Sequence, residues 1–85
     1  MTMTITERAR VRQLCYLYRF VNEEDGWARE LLLGEGQTIR ALVVPRENRW
    51  FVTVGDSFRA DYAEARNAFR AAFDRLEDEI LESDW

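Results

Sequence analysis

The sequence predicts an α+β domain: an antiparallel four-stranded β-meander with a long C-terminal helix packed on one face, preceded by an N-terminal arm or short helix. Three observations carry this. A helical stripe runs through the last third of the chain, short β-rich runs alternate with turn residues before it, and the turns are too short for parallel crossovers. Residues 1–85 read as one domain, with room for a single modest core.

The stripe is the clearest element. Phe58, Tyr62, Ala65, Phe69, Ala72, Phe73, Leu76 and Ile80 recur at steps of three and four, which places them on one side of a helix. Asp61-Tyr62-Ala63-Glu64 has the form of a capping box, with Asp56 or Ser57 as alternative caps one turn earlier. The helix is predicted from about residue 58 or 61 to about 82, since no Gly or Pro interrupts it.

Four runs read as strands. Cys15–Val21 is β-branched and aromatic, and Asn22-Glu23-Glu24-Asp25-Gly26 turns it. Trp27–Leu33 follows and ends at Gly34-Glu35-Gly36. Thr38–Val44 is the strongest strand, Pro45-Arg46-Glu47-Asn48 its turn, and Trp50–Val54 the last run before Gly55-Asp56-Ser57. The start of the chain has two readings. Thr4-Ile5-Thr6-Glu7 caps a helix bearing Val11, Leu14, Cys15 and Tyr18 on one side, whereas Met3, Ile5, Ala9 and Val11 fall at odd positions, as a strand face requires. The reading adopted is a first strand that includes residues 13–22, preceded by a short helix or irregular arm.

Composition narrows the chemistry. The chain lacks histidine, the commonest general base and metal ligand. Ser57 and Ser83 therefore have no partner for a serine-type triad. Cys15 lies in an apolar run, where a thiol keeps its proton, and a lone cysteine cannot close a zinc site or an intrachain disulfide. Around Asp25-Gly26 a calcium loop fails in frame, because Val21 and Leu32 stand where its first and last carboxylates belong. The expectation is a protein that is not an enzyme and carries no cofactor or metal. No apolar run approaches a membrane span and the N-terminus lacks a signal-peptide pattern, so a cytoplasmic protein is expected.

Charge points to partners. Net charge is −4, which argues against direct nucleic-acid binding and for a basic protein surface as the partner. The distribution is lopsided: residues 1–22 hold Arg8, Arg10, Arg12 and Arg19 against Glu7, while residues 61–85 hold eight carboxylates against Arg66, Arg70 and Arg75. Asp74, Asp78 and Glu82 step by four along the predicted helix, with Glu77 and Glu79 beside them. Successive members are about 6 Å apart along the axis, a spacing on the scale of phosphates in a nucleic-acid strand. Carboxylates at a helix C-terminus oppose its dipole, so this row is the candidate partner-binding face: Asp74, Glu77, Asp78 and Glu82, with Trp85 as an aromatic anchor. A second candidate is the sheet face the helix leaves bare. Alternation sends Trp50 and Val52 one way and Phe51 the other, so both faces are partly apolar and the second needs cover from the N-terminal arm, a second copy or a partner.

Size, acidity, the lack of catalytic residues and a meander closed by a helix starting at Ser57-Phe58-Arg59-Ala60-Asp61-Tyr62-Ala63-Glu64 resemble small phage-encoded anti-CRISPR proteins. The resemblance is one of type; those proteins share no motif, so it assigns no residue by position. It implies a stoichiometric inhibitor that binds a CRISPR effector complex or its nuclease and blocks nucleic-acid binding or cleavage, acting in the host cytoplasm. The partner would be a basic nucleic-acid-binding bacterial complex, with the inhibitor a monomer or homodimer. The ending also resembles antitoxin modules of the HicB type, with Gly55-Asp56-Ser57 in place of their glycine-threonine entry. That resemblance implies an antitoxin-like interaction module, and the uncovered sheet face gives the same alternative a structural or assembly form acting through homodimerisation.

Overall fold

A computed structural model describes the backbone of residues 3–83 and the side chains of 3–33 and 35–79. The order of elements is α1 (Ile5–Tyr18), β1 (Val21–Asn22), β2 (Trp27–Gly34), β3 (Gln37–Arg46), β4 (Arg49–Val54), β5 (Phe58–Tyr62) and α2 (Ala65–Ser83). The fold is α+β, and all neighbouring strands are antiparallel in the order β1-β2-β3-β4-β5. The sheet thus has five strands rather than the four expected.

Local chemistry explains α1. The Thr4 hydroxyl accepts the Glu7 N–H at 3.1 Å, and the Glu7 carboxylate accepts the Thr4 N–H at 3.2 Å, a complete capping box. Val11 is buried, and Met3, Leu14, Cys15 and Tyr18 pack around the core beside it. Arg19 ends the helix in the left-handed region (φ 63°), and Phe20 N–H returns to the Cys15 carbonyl at 2.9 Å. The strand expected over residues 13–22 is therefore mostly helix, and only Val21–Asn22 pairs with β2. Aromatic β-propensity at Tyr16, Tyr18 and Phe20 lost to a capped helix whose apolar positions meet the core at steps of three and four.

The second correction is at the far end. Phe58–Tyr62, expected to begin the long helix, is a strand paired with β4 from Val54↔Phe58 to Trp50↔Tyr62. Phe58 and Tyr62 are a step of four apart, and that step returns a side chain to the same face in both a helix and a strand. Alternation decides between them: Phe58, Ala60 and Tyr62 are half-buried while Arg59 and Asp61 are exposed. Asp61 is accordingly not a helix cap, and α2 starts at Ala65.

Two-residue turns link the middle strands. Glu35-Gly36 has φ of 53° and 79°, and Glu47-Asn48 has φ of 53° and 65°, so both connections carry the paired positive angles that match the twist of a hairpin. Pro45 belongs to β3, opposite Trp50 and beyond the last β2–β3 pair at Trp27↔Val43, where no ladder bond from its nitrogen is needed.

Both helices lie on one face. Val43, Val52 and Val54 of the sheet meet Ala68, Phe69, Ala72 and Leu76 of α2 in a core closed by Val11 and Phe20. Phe69 is the hub, with ring centres 5.2 Å from Phe20, 5.9 Å from Trp27 and 6.3 Å from Trp50. Each fully buried side chain of this size contributes about 1.5–3 kcal/mol of hydrophobic stabilisation.

Candidate interaction surfaces

The acidic helix is the first surface. Its inner stripe holds Phe69, Ala72 and Leu76, and the 3.6-residue repeat turns Asp74 and Asp78 outward. Arginines engage much of the row. Arg70 Nε is 3.7 Å from Asp74 one turn away, Arg29 of β2 is 3.8 Å from Glu77, and Arg75 is 2.9 Å from Glu79. Glu79 also accepts the Ser57 hydroxyl at 3.0 Å, and Arg75 lies 5.6 Å from the centre of the Phe58 ring. Asp78 is exposed and has no ion pair among the described residues. The Glu82 side chain and Trp85 lie outside the described residues. The row is therefore partly compensated from within, although the Asp74 pair is open to water and contributes about 0–1 kcal/mol.

The second surface is the sheet face away from the helices. Register brings Val21, Ala28, Leu42 and Thr53 into a line across four strands, with Val44 opposite Phe51 beside it. Ala28 is buried here between larger neighbours, Leu42 and Val44 are half-buried, and Phe51 is 40% and Val21 62% exposed. Charged residues frame the strip: Arg40 bonds Glu23 at 2.7 Å, and Arg49 bonds Asp61. The N-terminal segment, expected as one possible cover for this face, lies on the opposite side as α1.

Sequence reasoning missed a third feature. The outer side of α1 exposes Ile5 (88%), Tyr16 (90%) and Leu17 (66%) among Arg8, Arg10 and Arg12. Reading residues 13–22 as a strand hid it; the Thr4–Glu7 cap was the signal that could have found it.

Other chemistry is sparse. Burial raises the Cys15 thiol to about 11, which keeps it protonated at neutral pH. An open groove between α1 and the start of α2 is lined by Arg10, Leu14, Trp50, Glu64 and Arg66. Among the described residues no group of three or more Cys, Asp or Glu side chains is placed to hold a metal ion, and no helix is long and apolar enough to cross a membrane. No protein-family model, curated protein or solved structure matches this chain.

Proposed function

We propose that this chain is a non-enzymatic protein-binding module whose contact surface is the open face of its sheet. The observation behind the reading is the Val21–Leu42–Val44–Phe51 strip, continuous across strands and bare of both helices. An apolar centre framed by charges of both signs has the anatomy of a protein interface. A net charge of −4 disfavours a nucleic-acid ligand there. The test is affinity capture from a bacterial lysate with the wild type and a Phe51→Asp variant in parallel. A partner retained by the first and lost by the second, with unchanged thermal melting, supports the reading. Equal capture by both refutes it.

A second reading keeps the acidic helix as the contact, in an anti-CRISPR-like inhibitor that occupies a basic nucleic-acid-binding groove of a bacterial complex. Its support is the exposed Asp74 and Asp78, one turn apart on the outer side of α2. Binding of this kind weakens as salt rises, because exposed charges are screened within about 8–10 Å at physiological ionic strength. Asp78→Arg would then abolish capture where Phe51→Asp does not.

A further inference from the structure

The edge of the sheet at β5 carries information that neither face does. No described strand lies beyond it. On the other side β1 pairs only with Trp27 and Ala28, so the rest of β2 is also an edge among the described strands. Arg29 and Glu30 there are adjacent and on opposite faces, so that run sets no unlike charges against a copy of itself, whereas β5 offers five residues with charges two apart on one face. Sheet edges are commonly guarded by short length and by charge. Here the charges are Arg59 and Asp61, placed symmetrically about Ala60 and flanked by the two aromatic residues Phe58 and Tyr62.

We infer that β5 is a self-complementary edge that pairs with β5 of a second copy of this chain, joining two sheets into one of ten strands. Symmetry limits the possibilities. Two antiparallel copies of one strand, related by a two-fold axis normal to the sheet, pair residues of the same parity, so the axis passes midway between one residue and its own copy. Centred on Ala60, the register sets Arg59 against the partner copy's Asp61 twice, and Phe58 against its Tyr62 twice. Centred on residue 59 it opposes two arginines, and centred on residue 61 two aspartates. Opposite charges directly across an antiparallel pair attract and like charges repel, so only the Ala60 register is favoured. It is also the register that pairs all five residues.

Two further observations agree. Arg59 is exposed and has no ion pair among the described residues, so a partner copy's Asp61 gives it one. Asp61 bonds Arg49 of the neighbouring strand, and it accepts a second arginine without losing the first, because a carboxylate offers about four lone-pair sites. The same pair of charges that discourages unrelated strands therefore selects this one. This inference does not rest on the sheet-face reading of function, since the edge and the face are separate surfaces.

Sedimentation equilibrium of the full chain tests it. The wild type is expected at twice its 10.1 kDa chain mass. Arg59→Asp alone and Asp61→Arg alone place like charges across the two-fold, and each is expected at the single-chain mass. An equimolar mixture of the two restores unlike pairs at both positions and is expected to return to twice the chain mass. A wild type that stays at chain mass at every concentration overturns the proposal, as does a dimer that survives in both variants. A dimer lost on Phe51→Asp but kept by both edge variants also overturns it, placing the contact on the face. Should a variant not fold, amide exchange on the wild type serves instead: the β5 amides that β4 leaves unpaired are expected to gain protection as concentration rises, and no such dependence overturns the proposal.

Discussion

The guanidinium carbon of Arg29 lies 5.0 Å from the centre of the Phe73 ring, on the helix-covered side of the sheet where every neighbouring strand position is apolar. Arg29 also donates to the Tyr18 carbonyl at 3.4 Å and reaches Glu77 at 3.8 Å, so one side chain of β2 touches the end of α1 and two turns of α2. Its side chain is 13% exposed, and its methylene stem packs as a hydrophobe would. Arg29→Ala is expected to lower unfolding stability in urea by about 1–2 kcal/mol, through lost stacking and packing together. Arg29→Lys is expected to recover part of this, because an ammonium pairs with Glu77 but lacks the planar face that stacks on Phe73.

Gly26 and Gly36 make opposite demands. A Cβ on Gly26 would stand 2.2 Å from the Val43 carbonyl oxygen, a backbone atom that cannot turn aside. On Gly36 it would meet nothing within 4 Å, but the backbone there is left-handed at φ 79°. Gly26→Ala is therefore expected to cost about 1–3 kcal/mol as overpacking displaces β3 from the β1–β2 turn. Gly36→Ala carries only the left-handed penalty of about 1–2 kcal/mol. Thermal melts of the two variants should rank Gly26→Ala as the less stable; the reverse order would mean that the turn moves freely.

Much of this architecture was legible in the sequence. The stripe from Ala65 to Leu76 sits on α2, and the glycine- and asparagine-bearing turns divide β2, β3 and β4 as expected. The misreadings share a physical cause. Phe58 and Tyr62 occupy one face under either periodicity, so only the exposure of Arg59 and Asp61 separates strand from helix. Residues 13–20 combine strand-like composition with helical spacing, and the Thr4–Glu7 box settles the contest from outside the segment. Among the surfaces, Leu42-Val43-Val44 announces a strand apolar on both sides. The arginines that engage the acidic row divide in two. Arg70–Asp74 and Arg75–Glu79 are one helical turn apart and follow from the spacing alone. Arg29–Glu77 depends on tertiary packing that no local pattern encodes.

Cys15 should be slow to react. Burial penalises the thiolate and raises the pKa of the thiol from 9.0 to about 11, so the thiolate fraction at neutral pH is well below that of an exposed cysteine. Alkylation of the folded protein at pH 7.5 is expected to be slower than that of the urea-unfolded chain by about 10-fold or more, since the higher basicity of the buried thiolate offsets part of its scarcity. The same shift makes stability depend on pH. Between 9.0 and about 11 the unfolded chain has released this proton while the folded protein still holds it, so stability falls as pH rises through that window. Below 9.0 both states are protonated and Cys15 contributes no slope. Cys15→Ala should remove this component, seen as a flatter urea midpoint against pH in the alkaline range.

The acids near the end of α2 join stability to function in a way that one substitution can separate. The last described turn of α2 has no basic residue, and Glu82 stands one position before Ser83, the last residue described. Negative charge in the last turn of a helix opposes its dipole, so Glu82→Arg is expected to raise stability by about 0.3–1 kcal/mol at low salt, with the gain shrinking as salt is added. If the acidic side of α2 docks onto a basic groove, the stabilised variant must also bind that partner less well. Stability gained together with binding lost is the signature of residues kept for contact at the expense of the fold. A gain in stability with capture of the partner unchanged would leave those acids as ordinary solvated side chains and give the contact to the sheet.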